Sequence, residues 1–327
     1  MYMYKKGNLL ALATLFVVLL AGVVLLLRHD SRRQQGSLAR ELVKINSQNV
    51  TRLEIIPGGV IEETFHIERQ GEQWKVGTHQ EQHNANTDQI ERILEELSPL
   101  TPQQLISRNP EKWSEFHVSD ETGTRVKIYE GNNLAGDIVI GKIHFAQHAL
   151  QGGRQNPEIS THVRLTGQDE TFIVSGFLSS MFQPDLSAYR DQTVVKANLN
   201  DIEKIVVSGG EGFGYELTRE GDQWLINGVP ADTEKTTAYL ESLAHVTSNG
   251  FAEAESVGLL NFASHELSIH LTGKEPVKVQ AFPTTDTAHI NFINSSQNLG
   301  SVFSGSQNEL FNKLFKPASH FIAVQQE

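Results

Sequence analysis

The sequence predicts an α+β protein: an N-terminal transmembrane helix followed by two tandem homologous modules of mainly antiparallel sheet, each covered by helices. Three observations predict it. Residues 9–27 are uncharged and almost wholly apolar. The remainder of the chain repeats its own anchor residues in order. Within each repeat, period-two alternation gives way to short segments with helical spacing, the pattern of sheet carrying a helix on one face.

Length and composition bound the reading before any motif is sought. The chain has 327 residues, 39% of them apolar, enough for about two domains with buried cores. It has no cysteine, which excludes disulfides, Cys-ligated zinc, iron–sulfur clusters and a cysteine nucleophile. Lys plus Arg number 27 against 39 Asp plus Glu, a net charge of −12. That balance argues against nucleic acid, whose phosphates demand clustered cations.

The first element is the run Leu9 to Leu27, with nine Leu and four Val. As a helix rising about 1.5 Å per residue it is about 28 Å long, close to the roughly 30 Å hydrocarbon core. On the insertion scale its Leu, Val and Phe side chains favour a membrane by roughly 4–8 kcal/mol. A cleaved signal peptide fits less well. Its apolar core is shorter and ends in small residues, whereas Leu25-Leu26-Leu27 runs directly into Arg28-His29-Asp30. Lys5 and Lys6 before the span nearly balance Arg28, Arg32 and Arg33 after it, so flanking charge decides orientation weakly. Beyond residue 33 the chain keeps 22 Lys plus Arg against 38 Asp plus Glu, a net of −16 that anionic headgroups repel.

The duplication is read by aligning the chain with itself. Arg69-Gln70-Gly71-Glu72-Gln73-Trp74 returns as Arg219-Glu220-Gly221-Asp222-Gln223-Trp224. Upstream, Val50 to Ile55 answers Ile202 to Val207. Downstream, Ala85-Asn86-Thr87 and Leu94 to Leu97 answer Ala231-Asp232-Thr233 and Leu240 to Leu243, and Phe182-Gln183-Pro184 answers Phe315-Lys316-Pro317.

Each module begins as a meander. Leu53-Glu54-Ile55 and Phe65-His66-Ile67-Glu68 alternate around the turn Pro57-Gly58-Gly59, and Gly71-Glu72 turns the chain into Trp74-Lys75-Val76. In the second copy the turns fall at Gly209-Gly210 and Gly221-Asp222. A helix follows, capped by Thr87 or Asp88, with Ile90, Ile93, Leu94 and Leu97 on one face; Asp232 or Thr233 caps its counterpart, with Tyr239, Leu240 and Leu243 inward. Val126 to Tyr129, Ile138 to Ile140 and Thr171 to Val174 are further strands, and a short helix precedes each Phe-x-Pro element. Trp74 and Trp224 are expected in the core, and Arg69 and Arg219 on an exposed strand face.

No motif carries chemistry. His79 and His83 have the i, i+4 spacing of helical metal ligands, but Gln80-Glu81-Gln82 between them belongs to a polar connection. His144 and His148 share the spacing, with His162 nearby, without an evident set of four ligands. After His265-Glu266 the second histidine of a zincin is replaced by Ile269. Gly209 to Gly214 lies between two strands, a hairpin turn and not a phosphate loop. Gly300 to Gly305 lacks the spacing of a nucleophile elbow. Glu62-Glu63 and Glu95-Glu96 are adjacent in sequence and belong to solvated faces. The expected catalytic, cofactor-binding and metal-binding sets are therefore empty.

The Arg-x-Gly-Glu/Asp-x-Trp strand turn, the Ala-Asp/Asn-Thr helix start and a short Tyr-Gly-Leu-like element resemble the bacterial family called domain of unknown function 4340, over most of residues 40–322. The last element appears as Val257-Gly258-Leu259 in the second copy and as Phe116-His117-Val118 in the first, where His stands in place of Gly. The resemblance implies an anchored envelope protein with no established catalytic residues, acting with ABC transporters of the type linked to gliding motility. With the acidic balance, it favours an extracytoplasmic C-terminal part at the bacterial inner membrane.

The expected organisation is a tail at 1–8, the transmembrane helix at 9–27, a linker at 28–47, modules at 48–192 and 193–322, and a tail at 323–327. The expected function is that of a non-catalytic, membrane-tethered, extracytoplasmic interaction protein, an auxiliary component of an ABC-type transport or envelope complex. Its partners would be the membrane, through a single span, and an integral protein such as a transporter permease. The alternative is an envelope hydrolase with a site at the module junction around Asp185, Tyr189, Arg190 and Asp191.

Overall fold

A computed structural model describes residues 41–146, 158–252, 262–283, 291–304 and 309–322. By contact density the chain divides into two compact units, one formed by residues 1–69 with 88–184 and the other by 70–87 with 185–327.

The first unit contains β1 (Val50–Ile56), β2 (Phe65–Gln70), β5 (Pro102–Ser107), β6 (Thr124–Glu130), β7 (Asn133–Ala146), β8 (Glu158–Leu165) and β9 (Thr171–Ser175), while β3 (Gln73–Gly77) and β4 (Gln82–Asn84) belong to the second. The seven strands hydrogen-bond in the order β2-β1-β6-β7-β8-β9-β5, each pair antiparallel. Alternation explains them: in β1 Val50, Leu53 and Ile55 are buried, and Arg52 and Glu54 turn to the other face. Helix α1 (Thr87–Glu96) buries Ile90, Ile93 and Leu94, the stripe expected of a one-faced helix.

The second unit holds the antiparallel hairpin of β3 and β4, the short pair of β10 (Thr193–Lys196) with β15 (His245–Thr247), and an eight-stranded sheet. Its strands are β11 (Ile202–Ser208), β12 (Tyr215–Glu220), β13 (Gln223–Ile226), β14 (Val229–Pro230), β16 (His265–Leu271), β17 (Lys274–Pro283), β18 (Asn291–Ser295) and β19 (Val302–Ser304), in the order β14-β13-β12-β11-β16-β17-β18-β19. Helix α2 (Thr233–Ala244) starts where the Asp232 side chain accepts from the Lys235 amide, and packs Tyr239, Leu240 and Leu243 into a core with Ile205, Leu217 and Ile269. The buried Tyr239 hydroxyl donates to the Leu314 carbonyl at 2.7 Å, and burial raises its pKa well above the ordinary value.

The duplication extends to strand register. Leu53 faces Ile67 as Ile205 faces Leu217, and Leu53 faces Ile128 as Ile205 faces Ile269. The register slips between Val50 and Arg52 in one copy and between Ile202 and Lys204 in the other, a bulge at the same place. A local 3-10 turn precedes both strands, with Asn46 and Asn198 each capping through the side chain.

Two parts of the expected fold class require correction. The described chain is predominantly antiparallel sheet, not α+β with helices covering each sheet. Among the described residues only α1 and α2 exceed six residues, because helical spacing lasts about three turns in each copy and β-branched alternation occupies the rest. Among the described residues no helix is long and apolar enough to cross a membrane. The expected transmembrane segment 9–27 lies outside the described residues, as do His148 and Val257-Gly258-Leu259.

Candidate functional site

The polar segment 185–191 folds into local caps. The Asp185 carboxylate accepts from the Ser187 amide at 2.9 Å and starts a 3-10 turn over Leu186–Tyr189. The Asp191 carboxylate accepts from the Thr193 amide at 2.9 Å. Both acids thus serve the backbone two residues on, the usual occupation of Asp in such turns. Tyr189 is fully buried, and its carbonyl accepts from the Asn86 amide at 2.9 Å. The Asn298 side chain, itself fully buried, donates to the Asp191 carbonyl at 2.6 Å and ties the segment to the loop after β18.

Arg190 differs from its neighbours. It is 8% exposed, its guanidinium lies 3.6 Å from the Phe251 ring centroid, and its Nε has no hydrogen-bond acceptor. Burial lowers its pKa, opposed by the Glu81 carboxylate. Burial, then the Arg190 charge, hold His83 below its ordinary value as well.

The histidines at metal-ligand spacing, already set aside as a metal site, lie in separate environments where they are described. His83 lies on β4 and not on a helix, so the His79/His83 spacing brings no common face. His144 meets His162 edge to face at 5.3 Å, but the His162 ring stacks on Phe116 at 5.0 Å and its Nδ1 is bonded to the Lys142 carbonyl. Burial pushes the His162 pKa down. Among the described residues no group of three or more His, Asp or Glu is arranged to hold a metal ion.

The run Gly209 to Gly214 joins β11 to β12, as the turn reading expects. A Cβ on Gly209 would collide with the His265 ring, which explains why the turn is glycine there. His265 lies among Phe213, Phe311 and Phe315, at centroid distances of 4.6, 4.9 and 5.7 Å, and burial lowers its pKa. Residues from Phe213 to Phe315, 102 positions apart, build this aromatic nest, and no sequence motif announces it.

Two cavities open on the second unit. The larger, about 960 Å³, is an open cleft walled by the end of β10, the end of α2, the β16–β17 turn and the loop at Ser296-Gln297. Its walls mix apolar Leu199, Ala244, Leu271 and Val277 with Lys196, Glu241, His245 and Glu275. The Gln297 side chain accepts from the Lys196 amide and donates to the Lys196 carbonyl, fixing the β10 wall. The smaller, about 190 Å³, is bounded by Arg219, Asp222, Trp224, Thr233 and Thr237 with Leu199, Asn200 and Leu240 behind them.

The duplicated tryptophans therefore differ. Trp74 is 1% exposed, as expected of a core residue, whereas Trp224 is half-buried and borders a cavity. The arginines differ too. Arg69 is ion-paired with Glu91 at 3.1 Å, so it is not simply solvated. Among the described residues Arg219 reaches the Gly221 and Asn200 carbonyls, at 3.2 and 3.3 Å.

A family model described as Domain of unknown function (DUF4340) matches residues 74–261. No curated protein and no solved structure matches the chain.

Proposed function

The chain belongs to the DUF4340 family, and from that premise we propose that it is a non-catalytic interaction protein, working outside the cytoplasm at the bacterial inner membrane as an auxiliary component of an ABC-type transport or envelope complex. Its partner in this reading is an integral membrane protein such as a transporter permease. One observation carries the proposal: the open cleft of about 960 Å³ on the second unit, whose walls come from four separate segments and mix apolar, basic and acidic side chains. A trough open along its length accepts a protein segment, where a small-molecule site encloses most of its ligand. The carboxylates at 185 and 191, engaged by backbone amides, support the same assignment of this unit to binding.

The test is co-purification of the tagged full-length protein from its host in mild detergent. A multi-span permease should co-elute, and Glu241→Lys combined with Lys196→Glu should abolish its recovery while leaving the unfolding midpoint within a few degrees. Recovery of the full-length protein alone overturns the proposal. A reporter fused after Glu327 should be active only outside the cytoplasm, and cytoplasmic activity would overturn the location.

A further inference from the structure

The two copies supply a comparison that points to a ligand. Helix α1 and helix α2 align from Thr87 with Thr233 through Leu97 with Leu243, which sets Glu91 opposite Thr237. In the first copy the Glu91 carboxylate closes on Arg69 at 3.1 Å. In the second, Thr237 stands in place of that carboxylate, the arginine has no ion pair among the described residues, and a cavity of about 190 Å³ stands beside Arg219, Thr237 and Trp224. Among the described residues, one framework thus pairs its arginine with a carboxylate in the first copy and leaves it beside an opening, without that carboxylate, in the second.

The groups facing that opening define what fits. The Asp222 carboxylate and the Thr233 and Thr237 hydroxyls border it as exposed groups, and Arg219 keeps donors beyond the two carbonyls it meets. Trp224 offers an apolar ring with an N–H at its edge. An inorganic anion would be attracted by Arg219 and repelled by Asp222, and a cation the reverse. A hydrocarbon would leave the polar groups dry and unpaired. A neutral polyol ring meets every demand: adjacent hydroxyls accept from Arg219 and donate to Asp222 while its C–H face lies on the indole. The volume falls below the roughly 300–1,000 Å³ of sites for drug-sized ligands, and suits one ring.

We propose that the Arg219–Asp222–Trp224 cavity of the second copy binds one neutral pyranose unit, and that Glu91 of the first copy marks the same position in its closed, ligand-free form. The assignment is independent of the transporter partner. Co-purification can fail while sugar binds, and the reverse.

Isothermal titration calorimetry on the full-length protein tests it, with glucose, N-acetylglucosamine, cellobiose and chitotetraose as probes, and with phosphate and acetate at matched ionic strength. At least one saccharide should bind saturably, with neither anion competing. Tighter binding of an oligomer than of its monomer assigns the site to a polymer, and equal binding assigns it to a free sugar. Thr237→Glu, which installs the ion pair of the first copy, should weaken binding about tenfold or more with the unfolding midpoint unchanged or raised. Trp224→Leu and Arg219→Gln should weaken it similarly. Saccharide binding undetectable at tens of millimolar, competition by phosphate, or wild-type affinity in a folded Thr237→Glu protein each overturns the assignment.

Discussion

The guanidinium of Arg190 stacks 3.6 Å from the ring centroid of Phe251, in a site where its Nε finds no acceptor. A desolvated cation with an unpaired donor depends on that aromatic face. Phe251→Ala should therefore destabilise the second unit by about 2–4 kcal/mol, through lost packing against Phe303 as well as the exposed charge. Arg190→Met removes the desolvation cost along with the charge and should change stability by less than about 1 kcal/mol in either direction. Urea unfolding at neutral pH measures both.

His117 occupies the left-handed region at φ +56°, closing the helical turn Trp113–Phe116, with its amide donating to the Ser114 and Trp113 carbonyls. The turn that a glycine would form is kept by a side chain that pays a steric penalty for it. His117→Gly should stabilise the protein by about 0.5–1 kcal/mol, read as a rise in denaturation midpoint.

The acid limb of stability should depend on Asp137. Burial alone would raise its pKa, but Arg125 bonds it at both oxygens, at 2.8 and 2.7 Å, and Thr166 adds a third bond, so the net shift is downward. A carboxylate depressed in the folded state contributes stability that is present above its ordinary value of 3.8 and lost as pH falls through the lower folded value. Glu54, lowered by Lys127 and Tyr129 against its own burial, acts in the same direction. Asp137→Asn should cost about 1–3 kcal/mol at pH 7, and the gap should close in acid, as unfolding curves recorded down to strongly acidic pH would reveal.

Gly141 in β7 has the Phe116 and His117 carbonyls and the Val118 side chain where a Cβ would stand. Backbone atoms there yield less readily than the end of a flexible side chain. Gly141→Ala should destabilise by about 1–3 kcal/mol, whereas Gly131→Ala, with open space around it, should lose only what its positive φ costs. Paired thermal melts distinguish collision from backbone strain.

Local residues made the strands and the two main helices legible. Leu53-Glu54-Ile55 alternates because β1 has one buried face, and Ile90, Ile93 and Leu94 are spaced for one helical stripe. The balance of classes was misread because each helical segment is brief, and the strands between them outweigh it. The sites were less legible. The turns before Trp74 and Trp224 are alike in sequence, yet Trp74 is buried and Trp224 borders an opening beside Thr237, where the first copy has Glu91. Asn298 reaches Asp191 across 107 positions, and spacing within a window cannot register such a partner.

The matched bulges of β1 and β11 also bear on how the chain is made. Two ladders with one register accept each other's strands in principle, so a nascent chain risks seating β1 on β12. That exchange would set Glu54 opposite Glu216, two like charges face to face, where the native pairings give Glu54 to His66 and Val206 to Glu216. The like-charge contact thus disfavours the seating of β1 on β12 and leaves β1 to its own hairpin.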